Sequence, residues 1–238
     1  MKKLYFLLLI ALTIGLQACK NSEDAGPDKT YLVSSITTHY ASYNEVKSFT
    51  YDDKNRLATA SFTGSFDFRY TYDGEDRLSS VVLTDKKGLA QYTYKFGYEN
   101  IIVHVKYTVV GAAEQNHTME LANGQVYKYS TSDTDYTVCN HDDRGNMTEY
   151  RAISIHGTEG YGAFTYDDKK SPFAMVKGYE PFLAFGMNAY YSTANNQVSN
   201  SALDTTTTYA YNSAGFPISA VVKVGGANVK VDYKYIVK

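Results

Sequence analysis

Residues 49–62 read FTYDDKNRLATASF, and 21 residues further on residues 70–83 read YTYDGEDRLSSVVL. Each copy is an alternating run, then an Asp directly after a Tyr, then a polar stretch and an apolar re-entry at Leu57 or Leu78. The short Asx side chain in that place can accept a backbone N–H further along and start a turn. Asn55 and Gly74, with Gly145 and Gly215 in later copies, are candidates for positive φ. Strand, turn, strand at this spacing is a hairpin.

Looser copies follow at 92–105 (YTYKFGYENIIVHV), 120–130, 139–150, 164–176 (FTYDDKKSPFAMV) and 209–222 (YAYNSAGFPISAVV). With the aromatic before the turn as phase marker, the positions are Tyr51, Tyr72, Tyr94, Leu121, His141, Tyr166 and Tyr211. Asp52, Asp73, Asp142, Asp167 and Asn212 supply the turn-starting side chain, and Leu57, Leu78 and Met147 re-enter. Within strands the alternation is plain: Phe66, Phe68, Tyr70 and Tyr72 share one face, Asp67, Arg69 and Thr71 the other. The same pattern recurs at Tyr92, Tyr94, Phe96 and Tyr98, and at Val229, Val231, Tyr233 and Tyr235. The expectation is an all-β antiparallel hairpin meander, curled into a soluble barrel or barrel-like sheet of about 14–16 strands. A membrane-spanning barrel fits less well. Its strands need about 9–11 residues and girdled aromatics, whereas these strands are shorter and carry Tyr all along them.

The first 29 residues carry a separate message. Lys2 and Lys3 precede the apolar run YFLLLIALTIGL, which suits an export signal and is too short to span a bilayer. Leu16-Gln17-Ala18-Cys19 resembles the lipobox of bacterial lipoproteins, which implies cleavage after Ala18 and lipid on Cys19. Residues 1–18 therefore read as a signal peptide, 19–29 as a lipidated tether, and 30–238 as one all-β domain. Ten extended tether residues reach at most about 35 Å. The expected location is the outer membrane, lipid-anchored on its periplasmic or cell-surface face. Glu23 and Asp24 resemble the acidic surface-export signals of Bacteroides-type lipoproteins.

Cleavage removes two of the 23 Lys and Arg and none of the 25 Asp and Glu, leaving 21 against 25, a formal charge of −4. No basic patch stands out, which argues against nucleic acid. Only two cysteines occur. With Cys19 committed to lipid, Cys139 has no partner within the chain and reads as a buried small hydrophobe.

YTYDGEDRL (70–78) resembles the tyrosine–aspartate repeats of large bacterial surface and toxin-shell proteins. Residues 30–238 as a whole, with FTYDDKKSPF (164–173) and YNSAGFPISAVV (211–222), more closely resemble a Bacteroides-type family of exported lipoproteins of unknown function. That resemblance implies a porin-like β fold and brings no catalytic residues.

The candidate chemistry is sparse. His141-Asp142-Asp143 puts a His beside carboxylates, but at a turn and without spacing for further metal ligands. The paired acids at Asp52-Asp53, Asp73 to Asp76 and Asp167-Asp168 do not alternate as in a calcium loop. No GxSxG-type elbow occurs, and GTEGYG (157–162) has no following helix to bind phosphate. No catalytic residue, metal or cofactor is expected. One stretch, residues 178–199, departs from the repeat. It reads either as a plug for the barrel end or as an aromatic lip that meets a ligand through Tyr179, Phe182, Phe185, Tyr190 and Tyr191, with Asn188, Asn195 and Asn196 adding hydrogen bonds. The function expected is a non-catalytic envelope protein that binds a glycan or other envelope ligand. The alternative is a structural partner in an outer-membrane protein assembly. The absence of Trp weakens the carbohydrate case.

Overall fold

The computed structural model describes residues 29–178 and 194–238, which form a closed barrel of sixteen strands. The strands are β1 (Tyr31–His39), β2 (Asn44–Tyr51), β3 (Leu57–Phe62), β4 (Asp67–Tyr72), β5 (Leu78–Thr84), β6 (Ala90–Glu99), β7 (Ile102–Val109) and β8 (Gln115–Ala122). The second half is β9 (Gln125–Ser130), β10 (Tyr136–His141), β11 (Met147–Ser154), β12 (Gly157–Lys170), β13 (Asn195–Asn200), β14 (Thr205–Tyr211), β15 (Pro217–Val224) and β16 (Ala227–Val237). Every strand pairs antiparallel with its chain neighbours, and β1 closes on β16 with Tyr31 opposite Val237 and His39 opposite Lys230.

The repeated turn is built as its residues dictate. Asp52 Oδ1 accepts the backbone N–H of Lys54 (3.0 Å) and Arg56 (2.9 Å). Asp73, Asp142 and Asn212 do the same for the residues two and four positions on. Asp85, which the repeat search passes over, makes a fifth copy with Lys87 and Leu89. The left-handed residue is always the third after the Asx: Asn55, Asp76, Gly88, Gly145 and Gly215. This is a turn closed by a residue at positive φ, the three-residue hairpin loop with its bulge. Gly74, expected in that slot, is not there; Asp76 takes it at φ 65°.

The tyrosines have a backbone task. Between each of six odd strands and the even strand after it, the ladder stops short of this turn end. There a tyrosine hydroxyl from the even strand donates to a carbonyl left over on the odd one. Tyr72 donates to Leu57 O at 2.8 Å, Tyr98 to Leu78 O at 2.8 Å and Tyr235 to Pro217 O at 2.9 Å. Tyr51, Tyr166 and Tyr209 donate likewise to Val33, Met147 and Gln197. This corrects the phase marker of the third copy, which is Tyr98 rather than Tyr94. β6 runs ten residues and turns tightly at Asn100 (φ 55°), so Tyr94 sits mid-strand in the core.

Inward alternation makes the core. Leu57, Leu78, Val81, Val103, Val105 and Met119 are essentially inaccessible, with Phe68, Tyr70, Tyr94 and Phe96 packed among them. The outward face carries polar side chains such as Asp67, Arg69 and Thr71 on β4, His104 and Lys106 on β7, and Lys230, Asp232 and Lys234 on β16, with exposed Tyr127 on β9, Tyr161 on β12, Val221 on β15 and Ile236 on β16 among them. A Lys or Arg facing lipid costs about 2–4 kcal/mol near the bilayer midplane. On these strands the aromatics face inward and the charges outward, unlike the outward apolar band of a spanning barrel.

The copy at 164–176 does not complete a hairpin. After Lys170 the chain leaves the sheet, and Phe173 and Val176 join the core across the turn end. Phe173 meets Phe49 edge-on at 5.2 Å, Met175 Sδ lies 3.2 Å from the Tyr31 amide, and Lys177 pairs with Arg56 near the β2–β3 turn. Pro172 lacks a ladder donor, and the apolar run Phe173 to Val176 seeks burial, so the segment caps the barrel. Thr30 and Lys238 exchange backbone hydrogen bonds at this same capped end.

Candidate functional site

A cavity of about 350 Å³ lies inside the barrel between β1–β2 and β13–β16. Its wall mixes aliphatic side chains, Ile36 from β1, Val222 from β15 and Val229 and Val231 from β16, with Thr38, Thr205, Thr207, Tyr209 and Tyr233. The cap forms its floor through Ser171, Pro172 and Phe173, with Asn195, Asn196 and Gln197 at the start of β13. At the opposite rim it reaches Tyr40, Leu203 and Val224, all exposed, so the mouth opens away from the chain termini. The strand register turns Glu45 and Lys47 inward just inside the mouth, opposite Thr38 and Ile36. They pair at 3.6 Å, with the Lys47 ammonium 5.0 Å from the Phe62 ring.

The floor is the chemically unusual part. Between Tyr166 and Lys170 the pairing of β12 with β13 shifts register, and the shift turns Asn196 into the interior. Asn196 is 2% exposed. Its Nδ2 donates to both Asp167 carboxylate oxygens (3.3 Å each) and to Lys170 O (3.1 Å). Its Oδ1, like the buried Nε2 of Gln197, has no hydrogen-bond partner among the described residues. Each such group costs about 1–3 kcal/mol when left dry. Asp167 also accepts the Tyr211 hydroxyl and the Lys169 amide. Burial first, and then that bond, hold the Tyr211 hydroxyl protonated well above its ordinary range. Asn195 is fixed from the neighbouring hairpin: Asn146, fully buried, donates to its Oδ1 (2.9 Å) and accepts its backbone N–H (3.0 Å).

The expected site residues Tyr179, Phe182, Phe185, Tyr190 and Tyr191 lie outside the described residues, as do Cys19 and Asn188. Asn195 and Asn196 are described and stand on the cavity floor. Sequence reasoning missed the wall of the cup. Ile36, Val222, Val229 and Val231 come from opposite ends of the chain and look like any other inward strand position. They meet only because β1 closes on β16.

The remaining candidates resolve into structure. Cys139 faces inward against Met147 and Phe164, and burial pushes its thiol up to about 11. His141 takes the aromatic slot; burial lowers its pKa, against the opposing effect of Asp142. Asp142 is itself committed to the turn through Asn146 and Arg144. Among the described residues no three His, Cys, Asp or Glu side chains are grouped to hold a metal ion. The glycines of 157–162 open β12, and Gly160 and Gly162 leave room for the Tyr150 ring on β11. Two other depressions of about 510 Å³ lie elsewhere, one among the β8–β9 and β10–β11 turn residues and one along β7–β9.

No protein family matches the chain, and no curated protein does. Among solved structures it is similar to a porin-like protein from Bacteroides uniformis ATCC 8492, with a TM-score of 0.53 and 13% identity over 86% of this chain and 98% of the other. A porin-like protein from Bacteroides vulgatus ATCC 8482 aligns over 87% of this chain and 99% of its own, at 9% identity and a TM-score of 0.43. The first of these likenesses shows the fold: the chain has a porin-like β barrel.

Proposed function

We propose that this chain is an exported, lipid-anchored protein of the cell envelope that binds rather than catalyses, holding a small glycan or other envelope ligand in the cup between β1–β2 and β13–β16. The observation that carries the reading is the cavity itself. Its wall mixes Ile36, Val222, Val229 and Val231 with Thr38, Thr205, Thr207, Tyr209 and Tyr233, above a floor that carries Ser171, Asn195, Asn196 and Gln197. Pockets of this kind, mostly apolar with a few placed polar groups, are the common form of small-molecule sites. Thr30, beside Lys238, lies at the capped end of the barrel, opposite the mouth.

Val222→Trp tests the site by filling the wall and placing a fluorescent reporter in a chain that has no Trp. A ligand at a hundred times its Kd adds about 2.7 kcal/mol of stability, roughly 5–10 °C in Tm for a domain this size. A panel of envelope glycans and lipids should contain members that raise the wild-type Tm and leave the variant unmoved; equal shifts in both proteins place binding elsewhere. For the anchor, Cys19→Ala should free the protein from membranes without unfolding it. Protease shaving of intact cells then decides the face.

One observation favours a structural partner instead. The rim at the mouth carries Tyr40, Tyr43, Leu89, Val110, Ile155, Leu203 and Val224, all exposed and on six of the hairpin connections at that end. Loss of a co-purifying envelope partner on Leu203→Asp, with the cup variant unaffected, would support that reading.

A further inference from the structure

We infer that the barrel has a side door: the seam between β9 and β10, at the capped end, is where the wall opens first and where the Cys139 thiol is reached. The inference is independent of what the cup binds. It starts from the tyrosine bridges. In each bridged seam the accepting carbonyl stands two residues before the last ladder pair on the odd strand, and the tyrosine three residues after it on the even one. Leu57 and Tyr72 flank the pair Thr59 with Arg69 in this way, Leu78 and Tyr98 flank Ser80 with Lys95, and Met147 and Tyr166 flank Glu149 with Ala163. The other three ladders end at Ser35 with Ser48, Ser199 with Thr206 and Ser219 with Asp232, and keep the same count.

β9 and β10 pair over three residues only, and their last pair is Lys128 with Val138. The count falls on Val126 and His141. The Val126 carbonyl is turned for a bridge. Ala122 and Gln125 close a two-residue turn at Asn123 and Gly124, so the next pair, Leu121 with Val126, exchanges no hydrogen bonds. The Leu121 amide accordingly donates away from β9, to Ile101 O at 2.7 Å, and Val126 faces β10. The side chain in the tyrosine slot is an imidazole, whose nitrogens end short of where a phenol carries its hydroxyl. The His141 ring makes no hydrogen bond among the described residues. Gln125 reaches over to the β10–β11 turn, its Nε2 2.8 Å from the place of a Cβ on Gly145, and it makes none either. β7 and β8 stay paired down to Ile102 with Glu120. Among the described residues β9–β10 is thus the gapped seam without a bridge.

The gap is also hollow. The depression of about 510 Å³ at this end is lined by Tyr127 and Asn140 from the outer face of the wall and by Cys139 and His141 from the inner one. Behind it Cys139, Met147 and Phe164 form a small cluster separate from the main core. A seam with few hydrogen bonds and a small apolar backing opens at lower free energy than the barrel as a whole.

Amide exchange on the full mature chain tests this, beside thiol labelling read on the peptide that carries Cys139. Corrected for intrinsic rates, the amides of Lys128 and Val138 should exchange about tenfold faster than those of Thr59 and Arg69, the equivalent pair of an equally short but bridged ladder. His141→Tyr installs the bridge and should slow that exchange and the labelling of Cys139 about tenfold. Tyr72→His removes a bridge and should bring Thr59 and Arg69 to the rates of Lys128 and Val138. Equal exchange in the two wild-type seams overturns the inference, and so does a folded His141→Tyr whose Cys139 labels as fast as before. Should His141→Tyr fail to fold, Tyr72→His decides: unchanged exchange at Thr59 and Arg69 shows that the bridge does not hold a seam shut, and the side door falls with it.

Discussion

Replacing Tyr72 with phenylalanine removes one oxygen and keeps the ring beneath the Arg56 guanidinium, 4.2 Å away. The hydroxyl it removes donates to the Leu57 carbonyl at 2.8 Å, and Leu57 is 1% exposed. That carbonyl lies beyond the end of the β3–β4 ladder, whose last pair at this side is Thr59 with Arg69. No backbone donor of β4 can replace the lost bond without extending the sheet through the turn. A typical hydrogen bond contributes about 0.5–1.5 kcal/mol, and a buried acceptor left dry costs about 1–3 kcal/mol, so Tyr72→Phe should destabilise by about 1–2 kcal/mol. At roughly 2–4 °C per kcal/mol for a domain of this size, Tm should fall by about 2–8 °C. Tyr166→Phe, on β12 at the far side of the ring, removes the equivalent bond to Met147. Sites so far apart add, so the double variant should lose about 2–4 kcal/mol. Tyr92→Phe is the control, because that hydroxyl makes no hydrogen bond among the described residues, and it should be near neutral. Urea denaturation with equal m-values across the set measures all four variants against the wild type. A neutral Tyr72→Phe, indistinguishable from Tyr92→Phe, would refute the reasoning and leave the tyrosines as mere core rings.

Buried tyrosines also set an alkaline limit. Burial chiefly raises the pKa of Tyr51, Tyr129, Tyr166 and Tyr235 above the ordinary value, so the folded state keeps protons that the unfolded chain releases. Their contribution to stability is complete below about pH 10 and is lost as pH rises toward the folded-state values. Absorbance titration should show these phenols ionising only with unfolding; early, smooth ionisation contradicts their burial. With its thiol pushed up to about 11, Cys139 should react with a thiol reagent at neutral pH no faster than the barrel opens. Cys139→Ser should cost about 1–3 kcal/mol and spare binding; rapid labelling of the native protein would argue against that burial. A Cβ at Gly162 would stand 2.3 Å from the Tyr150 ring, so Gly162→Ala should destabilise by about 1–3 kcal/mol. Pairing it with Tyr150→Leu should recover part of the loss, and a double variant no better than the single would show that the ring is not the obstacle.

Local chemistry was legible in the chain. The Tyr51-Asp52 and Tyr72-Asp73 pairs marked turns because an Asx side chain reaches only its own next few amides, whereas Tyr166-Asp167 did not, and the period-two alternation named Phe68, Tyr70, Phe96 and Val231 as inward. Strand number and antiparallel order followed from the repeat length. Where two residues compete for one local role, as Gly74 with Asp76 or Tyr94 with Tyr98, the copies alone did not choose. The turn closes on geometry set by the partner strand. The cap and the cup were not legible at all. Phe173 and Val176 look like a strand re-entering, and nothing in Ile36 or Val229 says that they face each other. Closure of β1 on β16 brings together residues almost 200 positions apart, and the register shift between β12 and β13 turns Asn196 inward. Those are properties of how the whole sheet twists and closes, a long-range balance of pairing and packing that no short stretch of sequence encodes.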